Sequence, residues 1–164
     1  MADDRFNDRA GTSACGWGTD RKRGANAQGL GRSRGGLSTK IHAATDVLGN
    51  PVRLILGPGH RNDITQAHNL IEDLEPDAVI ADKGYDADHL RDAVSANEAQ
   101  VVIPPKSNRK AKIDYDKTLY KERNLVERFF NKLKQFRRVA TRYDKPLANY
   151  RGFVILAAIS ILLK

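Results

Sequence analysis

Two short apolar runs, residues 78–81 and 100–103, constrain this chain more than any other feature. Each is too short for a helix and apolar on successive positions, and a stretch of helical character near residues 87–97 separates them. Strands without polar alternation must be covered on both faces, so the pair reads as a parallel βαβ unit. Upstream, residues 37–45 and 52–56 flank Gly49-Asn50-Pro51, which predicts an antiparallel hairpin. Asp63 with Gln66 three positions on resembles a capping box, opening a helix along Ile64, Ala67, Leu70, Ile71 and Leu74. A basic loop over residues 104–117, an amphipathic helix over 118–136 and an apolar helix over 148–163 complete a mixed α/β pattern.

The 164 residues suit one domain, with residues 31–164 as its folded part. Residues 1–30 show no sustained period and read as an unpatterned, disordered leader. They hold no apolar h-region, and the apolar run 153–163 is shorter than the roughly 20 residues a bilayer requires, so no membrane role is expected. That run reads as a buried core helix. Cys15 is the only cysteine, which excludes an intrachain disulfide or a cysteine zinc cage and suits a reduced, cytoplasmic setting. The formal charge is +8, and its distribution is uneven. Residues 106–145 hold fourteen Lys or Arg against five Asp or Glu, whereas residues 46–98 hold four against eleven. A basic patch beside an acidic region points to a polyanionic partner.

Within the 118–136 helix, Tyr120, Arg123, Glu127 and Lys134 fall within about 60° of one another at 3.6 residues per turn. Leu119, Leu125, Val126, Phe129, Phe130, Leu133 and Phe136 form the apolar stripe they border. A carboxylate at a core edge, flanked by cations, suits a metal site that also grips phosphates, and equally an exposed i,i+4 Arg123–Glu127 pair. Asp82 follows directly on the apolar run 78–81, where ligands of open α/β sheets gather, or where a plain turn aspartate would sit. His42, His60, His68 and His89 lack compact metal-ligand spacing.

Taken together, Tyr120, Arg123, Glu127 and Lys134 match Y-x2-R-x3-E-x6-K without a gap, and Asp82 lies in Ala-Asp-Lys-Gly-Tyr-Asp. Further matches are Gly-Arg-Ser-Arg-Gly-Gly-Leu-Ser-Thr-Lys-Ile-His from Gly31, Gly-His-Arg-Asn-Asp from Gly59 and Arg-Arg-Val-Ala-Thr-Arg-Tyr-Asp from Arg137. Over roughly residues 29–164 the chain resembles the bacterial DDE transposases of insertion sequences. The resemblance implies an RNase-H-like mixed sheet flanked by helices, and magnesium-dependent DNA cleavage and strand transfer. It implies that Asp82 and Glu127 are catalytic metal ligands for two Mg2+ ions about 3.5–4 Å apart, with Mn2+ as a substitute. By the same resemblance, Tyr120, Arg123 and Lys134 bind phosphates near the cut end, and the enzyme works as a homo-oligomer on double-stranded transposon ends and target. Arg137, Arg138 and Arg142 in the basic patch, and Arg32 and Arg34 in the glycine-rich turn, are expected to touch the DNA backbone.

The family's first catalytic aspartate belongs to a D-x-T strand ahead of the glycine-rich turn. Asp3, Asp4, Asp8 and Asp20 lie in that direction, yet none sits in an apolar run or precedes a threonine by two. The expectation is therefore a truncated copy that lacks its first central strand and is inactive alone. The alternative is a non-catalytic DNA-binding remnant that competes with or regulates an intact transposase. A third reading is a nuclease for RNA or hybrids.

Overall fold

The computed structural model describes residues 2–7, 28–33, 36–111 and 113–163. Four strands form one sheet: β1 (Ala2–Asn7), β2 (Gly31–Ser33), β3 (Gly36–Thr45) and β4 (Pro51–Pro58), with β3 the common partner of the other three. β1 corrects the expectation that the stretch ahead of residue 30 supplies no strand: six residues there pair with β3. Their sequence lacks the alternating apolar pattern by which strands are usually read, which is why it was not legible. Cys15, Asp8 and Asp20 lie outside the described residues.

The predicted hairpin forms, turning at residues 46–50. The Asp46 carboxylate accepts from the N–H groups of Leu48 at 2.9 Å and Asn50 at 2.8 Å, and Gly49 supplies a φ of 81°. Its tip leaves Val47 88% exposed.

The predicted βαβ unit is present as β5 (Ala78–Ile80), a helix over Asp88–Ala96 and β6 (Gln100–Val102), with Ala78 opposite Gln100 in parallel register. Leu90 and Val94 are one helical turn apart and face Val79, Ala81 and Ile103, forming one buried cluster with Ala67, Ile71 and Tyr85. The helices in chain order are α1 (Ala67–Ile71), α2 (Asp88–Ala96), α3 (Asn124–Leu133), α4 (Arg137–Ala140) and α5 (Leu147–Leu162). The capping box at Asp63 does not form. Asp63–Gln66 is a 3-10 turn, and the Gln66 side chain accepts from Asn69 Nδ2 at 3.1 Å instead of reaching back to the cap.

Contacts divide the chain into two compact units interleaved in sequence, one built on His42–Ile55 and Asn62–Phe129, the other holding Leu56–Arg61 and Phe130–Lys164. The second unit also contains residues 28–33 and 36–41. There α4 packs on α5, and Tyr150 Oη donates to the Val139 carbonyl at 3.0 Å. Gly29, with a φ of 63°, lies against α5 so closely that a Cβ would sit 2.9 Å from Leu147. The apolar C-terminal run is only partly the buried helix expected: Tyr150, Val154, Ala157 and Ala158 face inward, whereas Leu156 and Ile159 are exposed. Among the described residues no helix is long and apolar enough to cross a membrane.

Candidate active site

Asp82 follows β5 directly and caps a 3-10 turn, Lys83–Tyr85. Its Oδ1 accepts from the Lys83 N–H at 2.6 Å, and Tyr85, 1% exposed, anchors the turn in the core. Asp82 is thus half-buried at the carboxyl end of a strand, on a turn whose position the core fixes.

Glu127 lies in the first turn of α3. The helix expected over 118–136 divides here, because Leu119–Arg123 is a 3-10 turn that leads into α3. Positions i and i+3 eclipse in a 3-10 turn, so Tyr120 and Arg123 stack, the guanidinium 5.5 Å from the ring centroid. Arg123 then bridges to Glu127 Oε1 at 2.8 Å. An exposed i,i+4 pair contributes only about 0.3–0.5 kcal/mol, so its consequence is orientation of the carboxylate more than stability. Tyr115 meets Tyr120 edge-on with centroids 5.5 Å apart.

β5 packs against the Leu119–Arg123 turn, which brings the strand end bearing Asp82 toward Tyr120. The phenol registers both acids. Burial raises its pKa, the Asp82 and Glu127 charges raise it further, and Arg123 opposes them. Two carboxylates 45 positions apart in sequence thus act on one tyrosine. A cavity of ≈ 270 Å³ opens nearby between Ala78, Ile80, Leu119 and Val126, but neither carboxylate lines it. Asp82 is half-buried and Glu127 is exposed.

Carboxylate oxygens are the donors a hard divalent cation prefers. Asp82 and Glu127 fit such an ion by chemistry, although among the described residues no group of three His, Cys, Asp or Glu is arranged to hold a metal. His68 and His89 stack on each other at 5.1 Å, and His42 is buried.

The expected phosphate contacts divide. Arg32, Lys134, Arg137 and Arg138 are exposed, with Lys134 just beyond the end of α3. Arg137 reaches Tyr143 Oη at 3.3 Å, and Arg138 lies 3.5 Å from Asp144 and over the Phe153 ring at 4.7 Å. Arg34 lies outside the described residues. Arg142 is a correction. It is 7% exposed, stacks on Tyr150, and donates to the carbonyls of Asp144 at 2.9 Å, Gln28 at 2.8 Å and Lys145 at 2.7 Å, and to Thr39 Oγ1. With its guanidinium engaged inside the second unit, it is a structural clamp and not a backbone contact.

Sequence reasoning passed over Asp86, four residues after Asp82 and 4% exposed. Burial pushes its carboxyl up, but the Lys106 N–H together with Arg91 and Arg109 outweighs that and holds it below the usual carboxylate range. The signal available was its place in Ala-Asp-Lys-Gly-Tyr-Asp.

Comparison with known proteins gives this geometry a family. The model of the transposase DDE domain matches residues 4–163. The inferred transposase of insertion sequence element IS6501 from Brucella ovis is 44% identical over 132 residues, covering 78% of this chain and 100% of that protein. The inferred transposase of element IS402 from Burkholderia cepacia is 31% identical over 130 residues, covering 72% of this chain and 59% of that protein. No solved structure matches significantly. A family match that spans nearly the whole chain, with a relative 44% identical over its full length, leads to one conclusion: the chain belongs to the transposase DDE domain family.

Proposed function

We propose that this chain transposes an insertion sequence by divalent-metal-dependent DNA cleavage and strand transfer, on an RNase-H-like scaffold. The observation that carries the reading is the match of residues 4–163 to the transposase DDE domain, within which β5 packs on the Leu119–Arg123 turn and so brings the strand end before Asp82 to the segment that leads into Glu127. Asp82 and Glu127 would hold the metal. What supports the scaffold is the mixed α/β order, in which a four-stranded sheet precedes a parallel βαβ unit that forms a second, two-stranded sheet. When bound, a pair of divalent ions activates water or a 3′-hydroxyl and offsets charge on the leaving oxygen. Arg123 orients Glu127 and lies where a phosphate can share its charge, and Tyr120 keeps a neutral phenol beside the acids as a hydrogen-bond donor. Lys134, Arg137 and Arg138 add positive charge for the duplex.

The test is incubation with Mg2+ and DNA carrying the element's own ends. Cleavage should fall by roughly 10²–10³-fold in Asp82→Asn and in Glu127→Gln, with duplex binding retained. Salt-dependent binding without cleavage by the parent chain would instead identify a regulatory remnant. Hydrolysis of RNA–DNA hybrids without joined product would identify a nuclease.

A further inference from the structure

The turn that presents Asp82 is bracketed at its other end by an acid that the proposed chemistry does not use. Asp86 closes the Lys83–Tyr85 turn, its N–H bonded to the Lys83 carbonyl at 3.1 Å. Its Oδ1 accepts from Arg91 Nε at 2.8 Å and from Arg109 Nη1 at 2.9 Å, while Oδ2 accepts from the Lys106 N–H at 2.8 Å. The Asp86 carbonyl takes Lys106 Nζ at 2.9 Å. Arg91 belongs to the framework, since its Nη2 donates to the Ile103 carbonyl at 2.6 Å. Arg109 also reaches Asp88. One buried carboxylate therefore ties a basic loop, residues 104–110, to the same turn that displays Asp82.

The charges in that loop divide by role. Lys106 and Arg109 are spent on Asp86 and Asp88, whereas Ser107, Asn108 and Lys110 are exposed. Hydroxyl, amide and ammonium donors on one short loop suit the phosphate oxygens of a nucleic-acid backbone. A free loop would lose conformational entropy on gripping a strand, and a loop already anchored has lost most of it.

We propose that Asp86 is a positioning residue for DNA: it fixes the 104–110 loop beside the Asp82 turn so that Ser107, Asn108 and Lys110 hold the phosphodiester backbone entering the site. The proposal rests on the DNA-joining reading. It is tested without cleavage, by fluorescence anisotropy of a random-sequence duplex without metal over a series of salt concentrations. Lys110→Gln should lower the slope of log affinity against log salt by about one phosphate contact. Arg109→Gln, which removes the loop's ties through Arg109 but leaves the Asp86–Arg91 pair and the two Lys106 bonds, should lower it in part, and Asp86→Asn, which weakens the Arg109 tie and the Lys106 N–H bond together, should lower it further. The Arg109→Gln/Lys110→Gln double variant should fall no further than Lys110→Gln alone, because both changes act on one contact. A merely structural role predicts a lower melting temperature with an unchanged slope. An unchanged slope in folded Arg109→Gln, or a double variant that falls further than Lys110→Gln alone, would overturn the proposal. A parent chain that binds no duplex would overturn the DNA reading itself, and this inference with it.

Discussion

Arg142 offers the sharpest test of how this chain uses its positive charge, because its position in a basic segment and its burial assign it opposite roles. In Arg142→Met the apolar stem is kept and the guanidinium is lost. The carbonyls of Gln28, Asp144 and Lys145 and the Thr39 hydroxyl then lose a charged donor. Hydrogen bonds to charged groups contribute roughly 1.5–3 kcal/mol each. They do not add when they share one side chain, and acceptors that reach water recover part of the loss. The expected cost is about 4 kcal/mol, which lowers the melting temperature by roughly 8–16 °C in a chain of this size. Arg142→Lys should recover only part of it, because a single ammonium lacks the planar fork that spans four acceptors. Urea unfolding followed by circular dichroism measures the loss, and anisotropy under native conditions measures DNA affinity. The salt slope should be unchanged in both variants. A stability loss below about 1 kcal/mol, with a slope reduced by about one contact, would refute the clamp and return Arg142 to the DNA surface.

Three further outcomes are expected. Because the Tyr120 phenol is raised by burial and by Asp82 and Glu127, its contribution to stability is present below its ordinary value of 10.0 and is lost as pH climbs through the folded value. Spectrophotometric titration should find Tyr120 ionising later than in either Asp82→Asn or Glu127→Gln, and a shift in only one variant would separate the two acids. Asp86 has the opposite sign: its lowered carboxyl stabilises the fold fully above the ordinary 3.8 and ceases to do so as pH falls through its folded value. Acid unfolding of Asp86→Asn should therefore lose the segment that lies between 3.8 and the lower folded value, and an unaltered acid limb would contradict the network. Leu90→Ala, at a position with 0% exposure in the βαβ core, should cost about 2–5 kcal/mol in urea unfolding, and a loss below 1 kcal/mol would mean that the core collapses around the gap.

What could be read in the sequence depended on range. The βαβ unit and the hairpin follow from local patterning and are present, whereas the helix expected over 118–136 is a 3-10 turn followed by the shorter α3, and the C-terminal helix buries only one side. Asp82 was visible because an apolar run ends just before it. Glu127 was visible because Arg123 and an apolar stripe flank it. The capping box failed because Gln66 has a nearer partner in Asn69, and no pattern of residue types records such competition. Arg142 was misread because lysines and arginines clustered in sequence look alike whether they point outward or inward. β1 was missed because its six residues show no apolar alternation, and only its pairing with β3 reveals it. Asp86 draws its partners from positions 91, 106 and 109, so its importance exists only once the chain has folded.

The turn between Asp82 and Asp86 has a bearing on where this protein accepts foreign sequence. Lys83 and Gly84 are exposed, so their identities have room to vary. Their number does not: one added residue would rotate Asp86 away from Arg91, Lys106 and Arg109, or carry Asp82 off the end of β5. The tip at Val47 and Leu48 is less restricted: an insertion there gives up the exposed Asp46 bond to the Leu48 N–H and adds a slowly growing closure entropy, but the side chains project into solvent. A peptide tag or labelling sequence belongs between Val47 and Leu48, and a library of length variants should spare residues 82–86.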